Sequence, residues 1–262
     1  MLFRSKRFSS RPDDDIAIDI SEEFGIRKLH FGHDDTQSAM RISDPLELVL
    51  AYSRCVFGAL LFVPVPSTML LIGLGGGSIA KWAHAKLPET QITCVELHPQ
   101  VIAVARSMFG LPDDDERLAV IAGDGAAHLV GMDEASCDFI VMDAYSATGI
   151  APPLATTEFF AACRDRLSDN GVLAVNLWGS DKRFQQYCER LSGVFDGHLV
   201  LLPARQKGNV IAFAFRKGQG EPRWDELSRR ATELEAAHGL EFGEFVSDLA
   251  RLNPHNDRKL FI

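Results

Sequence analysis

Polar and apolar positions follow two different rhythms along the chain, and the change between them divides it. Residues 1 to about 20 are polar and read as loose at the start. Arg27-Lys-Leu-His-Phe31, a Gly-His-Asp-Asp turn and Thr36-Gln-Ser-Ala-Met-Arg-Ile42 alternate with period two and predict a β-hairpin. Asp44-Pro45 then offers an N-cap and a first-turn proline. Leu46, Val49, Leu50, Ser53 and Phe57 recur at helical spacing, so a helix is expected from there.

From residue 68 short apolar runs alternate with helical stretches. Strands are predicted over 69–72, 91–95, 118–121, 138–142 and 171–177, and helices over 78–86, 99–108 and 158–167. Such alternation builds a parallel sheet with helices on both faces. The runs 198–202 and 209–215 are separated by Pro-Ala-Arg-Gln-Lys-Gly, which can close a hairpin but cannot carry a crossover helix. The last strand should therefore be antiparallel. The expected fold class is α/β: a doubly wound, mostly parallel seven-stranded sheet of the S-adenosylmethionine-dependent methyltransferase type, with a short N-terminal β-hairpin region. Residues 224–238 and 242–252 should be helical. The expected division is 1–66 for tail, hairpin and helix, 67–218 for a nucleoside-binding Rossmann-like catalytic domain, and 219–262 for C-terminal helices packing on it.

Composition narrows the class. The 262 residues, 46% hydrophobic and 24% charged, suit a folded domain with a sizeable core. A net charge of -9 argues against a nucleic-acid footprint. It suits a cationic small substrate, and equally plain solubility. The five cysteines include no C-x-x-C pair, so neither a zinc knuckle nor a redox motif is expected, and reduced buried thiols in a cytoplasmic protein are. The N-terminus is basic, with Arg4, Lys6, Arg7 and Arg11, but lacks the apolar stretch of a signal peptide. No charged residue lies between Arg54 and Lys81, but Pro64, Pro66 and the glycines of 73–77 break that run. It reads as a helix end, a loop, a buried strand and a glycine turn rather than a membrane span. The histidines show no ligand spacing, and no metal is expected.

Four strand ends carry the candidate chemistry. Gly73-x-Gly75-x-Gly77 follows a strand and opens a helix, as a turn that lets backbone approach a ligand does. Glycine turns also serve packing, and Ser78 at the sixth position disfavours a dinucleotide. Glu96 ends the next strand about twenty residues on, where an acid can bind both ribose hydroxyls or simply be a solvated strand-end carboxylate; the glycine turn before it favours ribose. Gly123-Asp124-Gly125 ends the third strand, where a carboxylate between glycines can accept from an adenine amino group. Asp143 ends the fourth, facing whatever the nucleoside carries on its 5′ carbon. Ala144-Tyr145-Ser146 opens a loop long enough to cover a substrate. Trp178, at the fifth strand's end, suits either a substrate wall or rim packing.

From Leu70 to Phe215 the sequence resembles the catalytic domain of spermidine synthases, the polyamine aminopropyltransferases. The resemblance rests on V-E-L-H-P-Q-V-I at 95–102, G-D-G at 123–125 and D-F-I-V-M-D-A-Y-S at 138–146, followed by Phe159-Phe160. It implies decarboxylated S-adenosylmethionine as co-substrate, or S-adenosylmethionine itself, and an amine as small-molecule partner. It implies neither nucleic acid nor membrane, and it allows a homodimer. By position it assigns ribose to Glu96 and adenine to Asp124, with Leu97, Gly125 and the glycine turn beside them. Gln37 falls on the nucleoside side, and Asp143 becomes the acid that takes the proton of the attacking amine. Three positions depart from the family pattern. Gly76 stands where an aspartate holds the aminopropyl ammonium, Ser146 where a second acid follows Asp143, and Leu48 where a channel tyrosine is expected. Asp34, Asp35, Asp44 and Glu47 are candidate replacements. A methyltransferase using intact S-adenosylmethionine and a non-catalytic nucleoside-binding protein are the alternatives to aminopropyl transfer.

Overall fold

The computed structural model describes residues 17–32, 36–146, 149–205 and 208–262. β1 (Ile18–Glu23), β2 (Ile26–Phe31) and β3 (Thr36–Arg41) form an antiparallel sheet in that order. The expected hairpin is thus the outer part of a three-stranded sheet. Its first strand begins inside the segment read as loose, because Ile18 packs with Leu29, Met40, Val101 and Phe109 in a small core of its own. The basic residues at 4, 6, 7 and 11, and Asp34 and Asp35, lie outside the described residues.

The helix expected from Asp44-Pro45 starts later, as α1 (Ala51–Cys55), and runs on as a 3-10 helix over Val56–Leu61. Asp44 caps a turn instead. Its carboxylate accepts the Leu46 N–H at 3.2 Å, and its backbone bridges to Arg41.

A βα alternation follows: β4 (Thr68–Ile72), α2 (Ser78–Lys86), β5 (Gln91–Glu96), α3 (Pro99–Phe109), β6 (Leu118–Ala122), α4 (Gly125–Val130) and β7 (Cys137–Met142). Two short paired strands come next, β8 (Tyr145–Ser146) and β9 (Gly149–Ile150). After them lie α5 (Thr157–Arg166), β10 (Leu167–Trp178), α6 (Phe184–Val194), β11 (Leu199–Pro203) and β12 (Asn209–Phe215). α7 (Trp224–His238) and α8 (Phe242–Leu249) complete the chain, with α8 ending before the predicted 252. The short helices α4 and α6 were not predicted.

The central sheet has seven strands in the order β11-β12-β10-β7-β4-β5-β6. The pairs from β10 to β6 are parallel, whereas β12 runs antiparallel to both neighbours, with Val172 opposite Phe215 and Trp178 opposite Asn209. The antiparallel final strand is as the short connection required. Strand alternation divides the core. Met69 and Leu71 face α2 and the C-terminal helices, and Leu70 and Ile72 face α5 and α6.

The sequence from Arg54 to Lys81 forms helix, loop, strand and glycine turn. Among the described residues no helix is long and apolar enough to cross a membrane. All five cysteines are free and buried, and burial pushes the Cys55 and Cys94 thiols up to about 12. They act as small apolar side chains.

Candidate active site

The carboxyl ends of the parallel strands are tied together by main-chain hydrogen bonds. Gly73 donates to the Val95 carbonyl, Asp143 to that of Ile72 and Gly123 to that of Glu96, each at 2.9 Å. Three strand-end turns are therefore held at one level, where open α/β sheets bind ligands. They floor a cavity of about 990 Å3.

Of the residues singled out from sequence, Gln37, Gly73, Gly75, Glu96, Leu97, Asp124, Gly125, Asp143, Ala144 and Tyr145 line this cavity. Gly77 does not. Its φ of +73° opens α2, and a Cβ there would meet Leu111 at 2.9 Å, so it serves packing and helix entry. Ser146 contributes backbone pairing to Gly149. Trp178 lines the cavity from the rim and is 41% exposed.

Gly73 has the strictest requirement. With φ at +90°, a Cβ there would lie 2.4 Å from the Asp143 carbonyl oxygen. The glycine turn and the acid-bearing strand end thus touch backbone to backbone. Glu96 is buried, with Oε2 accepting the Leu74 N–H at 2.9 Å and Oε1 the His98 N–H at 3.0 Å. Both oxygens keep acceptor capacity, since each carries two lone pairs. Asp124 is the N-cap of α4. Its Oδ1 accepts from Ala126 and Ala127 N–H groups at 2.7 and 3.2 Å.

Asp143 is the centre of a polar cluster. Its Oδ1 accepts from Asn176 Nδ2 at 2.8 Å and its Oδ2 from the Tyr52 hydroxyl at 3.1 Å. Asn176 is itself held by Asn209, whose Nδ2 donates to its Oδ1 at 3.0 Å, and its carbonyl accepts the Tyr145 hydroxyl at 2.6 Å. Removal from water pushes the Asp143 carboxyl up to about 6. The Asn176 and Tyr52 hydrogen bonds oppose that rise, and the Glu96 charge adds to it. At neutral pH the group is ionised yet basic enough to take a proton, which is the balance general-base chemistry needs.

Leu48 stands where the resemblance places a channel tyrosine. Leu48 is buried in the core, and Tyr52, one turn further on, reaches Asp143. Sequence reasoning missed Tyr52 because no local pattern links it to Asp143, 91 positions away. Asn176 did leave a signal: a single amide in a buried apolar strand needs a partner. Asp44 and Glu47 do not replace the missing acids. Neither lines the cavity, and Glu47 is ion-paired to Arg41.

Gly76 is closed to an acidic side chain. A Cβ there would stand 2.8 Å from both the Phe109 ring and Ser38 Oγ, because β3 lies over the glycine turn and α3 beneath it. Among the described residues no group of three or more His, Cys, Asp or Glu side chains is arranged to hold a metal ion.

Comparison with known proteins agrees with this geometry. Residues 50–218 match the spermine/spermidine synthase domain. A polyamine aminopropyltransferase of Chromobacterium violaceum is 43% identical over 94% of this chain and 94% of its own length. Two solved structures share the fold. A spermidine synthase in complex with the transition-state analogue AdoDATO superposes with a TM-score of 0.74 at 20% identity, over 94% of this chain and 84% of that one. Human methyltransferase-like protein 13 in complex with SAH gives 0.64 at 24% identity, over 79% and 96%. With a family match running from the first helix through the last sheet strand, and a relative alike along nearly both full lengths, the chain belongs to the spermine/spermidine synthase family of transferase enzymes.

Proposed function

We propose that the protein transfers an aminopropyl group from decarboxylated S-adenosylmethionine to an amine. Glu96 binds the ribose, Asp124 and Leu97 the adenine, and the turn at Gly73 and Gly75 the sulfonium side. The acceptor nitrogen attacks the methylene next to sulfur. The new N–C bond forms as the C–S bond breaks, the bonding pair returns to sulfur, and methylthioadenosine leaves as a neutral thioether. Asp143 takes the proton released by the nitrogen. The sulfonium is already a good leaving group, so alignment is the protein's main contribution. The observation that carries the reading is the Asp143 carboxylate, oriented by Tyr52 and Asn176, in the same cavity as the nucleoside-type strand ends.

One feature favours a second reading, methyl transfer from intact S-adenosylmethionine: the space at Gly76 admits no carboxylate to hold a donor ammonium. The deciding experiment incubates the protein with putrescine and either donor. Methylthioadenosine release from the decarboxylated donor supports aminopropyl transfer. S-adenosylhomocysteine from the intact donor, with no methylthioadenosine from the other, replaces it with methyl transfer.

A further inference from the structure

The helix that carries Tyr52 to Asp143 is held from behind by an ion pair the mechanism above does not use. Arg54 follows Tyr52 by two residues on α1 and so lies on the opposite side of that helix, which turns about 100° per residue. Tyr52 faces the cavity, whereas Arg54 lines a second, smaller hollow with Cys55, Arg205, Glu241, Glu244 and Asp248. Resting on the assignment of Asp143 as the base, we infer that Arg54 and Glu241 are positioning residues for proton transfer: together they hold α1 so that the Tyr52 hydroxyl donates to Asp143.

α1 has only five residues and no side-chain N-cap, and a helix that short does not hold its own first turn in place. Arg54 supplies the hold. Its Nη1 donates to the Leu48 carbonyl at 2.7 Å and to the Val49 carbonyl at 3.3 Å, just before the N-cap Leu50. Its Nε donates to Glu241 Oε1 at 2.5 Å. One planar guanidinium thus ties the entry of α1 to the N-cap residue of α8, 187 positions away. Glu241 is a firm anchor, because Leu240, Phe242 and Phe245 around it are buried in the main core. Arg205 pairs with Glu244 and Asp248, and Arg251 with Asp248, which leaves Glu241 to Arg54.

The pose of α1 matters because the Tyr52 hydroxyl has one proton and two acceptors in reach. Asp143 Oδ2 lies at 3.1 Å and the Gln37 carbonyl at 3.4 Å. Both exceed the usual O–H···O separation of about 2.7–2.8 Å. A displacement of the hydroxyl by a few tenths of an ångström therefore redirects the hydrogen bond from the carboxylate to the carbonyl. The other titratable groups that act on this pair are Glu96 from β5 and Tyr145 from β8. Behind α1, the charges around Arg54 are those of the smaller hollow and Glu47, which is itself paired with Arg41.

The test records methylthioadenosine release from decarboxylated S-adenosylmethionine and putrescine between pH 5.5 and 9. It compares the wild type with Arg54→Gln, Arg54→Lys and Glu241→Gln, and repeats the Gln variants in a Tyr52→Phe background, with a thermal melt of each. A donor lost from Asp143 disfavours its ionised form, so the loss belongs at acid pH. Arg54→Gln and Glu241→Gln should each be about two- to fourfold slower near pH 6, beyond any pH-independent loss, and converge on the wild type at alkaline pH, with the donor KM little changed. Arg54→Lys, which keeps the cation but not the fork, should lie between Arg54→Gln and the wild type. With Tyr52→Phe already in place, neither Gln variant should add a pH-dependent loss. The two Gln substitutions change the local charge in opposite directions. A direct field on Asp143 would move their acid limbs apart, whereas lost positioning moves both the same way. Opposite displacements, a pH-independent loss that follows the melt, or full additivity with Tyr52→Phe overturns the role while leaving aminopropyl transfer standing. A wild type that releases no methylthioadenosine removes both.

Discussion

The Tyr52 hydroxyl gives a way to test whether Asp143 is a base whose proton affinity is set by its hydrogen bonds. Tyr52→Phe removes one of the two donors to the carboxylate, at Oδ2, and leaves Asn176 on Oδ1. A hydrogen bond to a charged group contributes about 1.5–3 kcal/mol. If that were spent wholly on the ionised form it would shift the carboxyl by roughly 1–2 pH units, at about 1.4 kcal/mol per unit. The carboxylate borders an open cavity, where water can occupy part of the vacated place, so the lower end applies. The sign is fixed. A lost donor disfavours the ionised form, so the value rises from about 6 toward 7. The basic form is then scarcer at acid pH and unchanged at alkaline pH. Methylthioadenosine release should be recorded from pH 5.5 to 9 for both proteins and expressed as their ratio, which cancels titration of the acceptor amine. The variant should be about fivefold slower near pH 6, beyond any pH-independent loss, with the two curves converging near pH 8.5. A ratio that stays flat across the range refutes the coupling between Tyr52 and Asp143, and with it the assignment of the acid limb to that carboxylate.

Asp143→Asn keeps the side-chain shape and should lower turnover by about a hundredfold or more while methylthioadenosine affinity changes little. Wild-type turnover in a stable variant would remove Asp143 from the mechanism. Glu96→Gln should weaken methylthioadenosine binding at least tenfold, about 1.4 kcal/mol by calorimetry, because the amide turns a donor toward a ribose hydroxyl or a backbone N–H. Unchanged affinity would place the ribose elsewhere. Gly76→Asp should fail to create a donor-ammonium contact and should instead lower stability by about 1–3 kcal/mol through overpacking against Phe109 and Ser38. A normal melt with tighter binding of the decarboxylated donor would contradict that reading of the turn.

What the sequence showed was what local chemistry determines. Apolar runs placed the strands, the short connection before Asn209 required the antiparallel partner, and Gly73, Glu96, Asp124 and Asp143 were found because each ends a strand. What it hid depends on distance along the chain. Tyr52 meets Asp143 across 91 positions, and no local pattern marks a hydroxyl for a partner so far away. Asp44-Pro45 misled for the opposite reason. Its capping chemistry is real but is used on a turn, because the bridge to Arg41 holds the backbone out of helical geometry. α4 escapes the sequence reading because Gly123-Asp124-Gly125 suggests a ligand contact or a turn, whereas the same carboxylate starts a helix.

The contact between Gly73 and the Asp143 carbonyl has a consequence for how such an enzyme can diversify. Two main chains meet there, so a side chain at residue 73 would have to push the Asp143 strand end away. Elsewhere the cavity is lined by side chains such as Tyr145, Trp178, Asp181 and Arg183. Those can be exchanged one at a time without moving a strand. The cavity can therefore be reshaped by single substitutions at those positions, whereas the turn at Gly73 stays fixed.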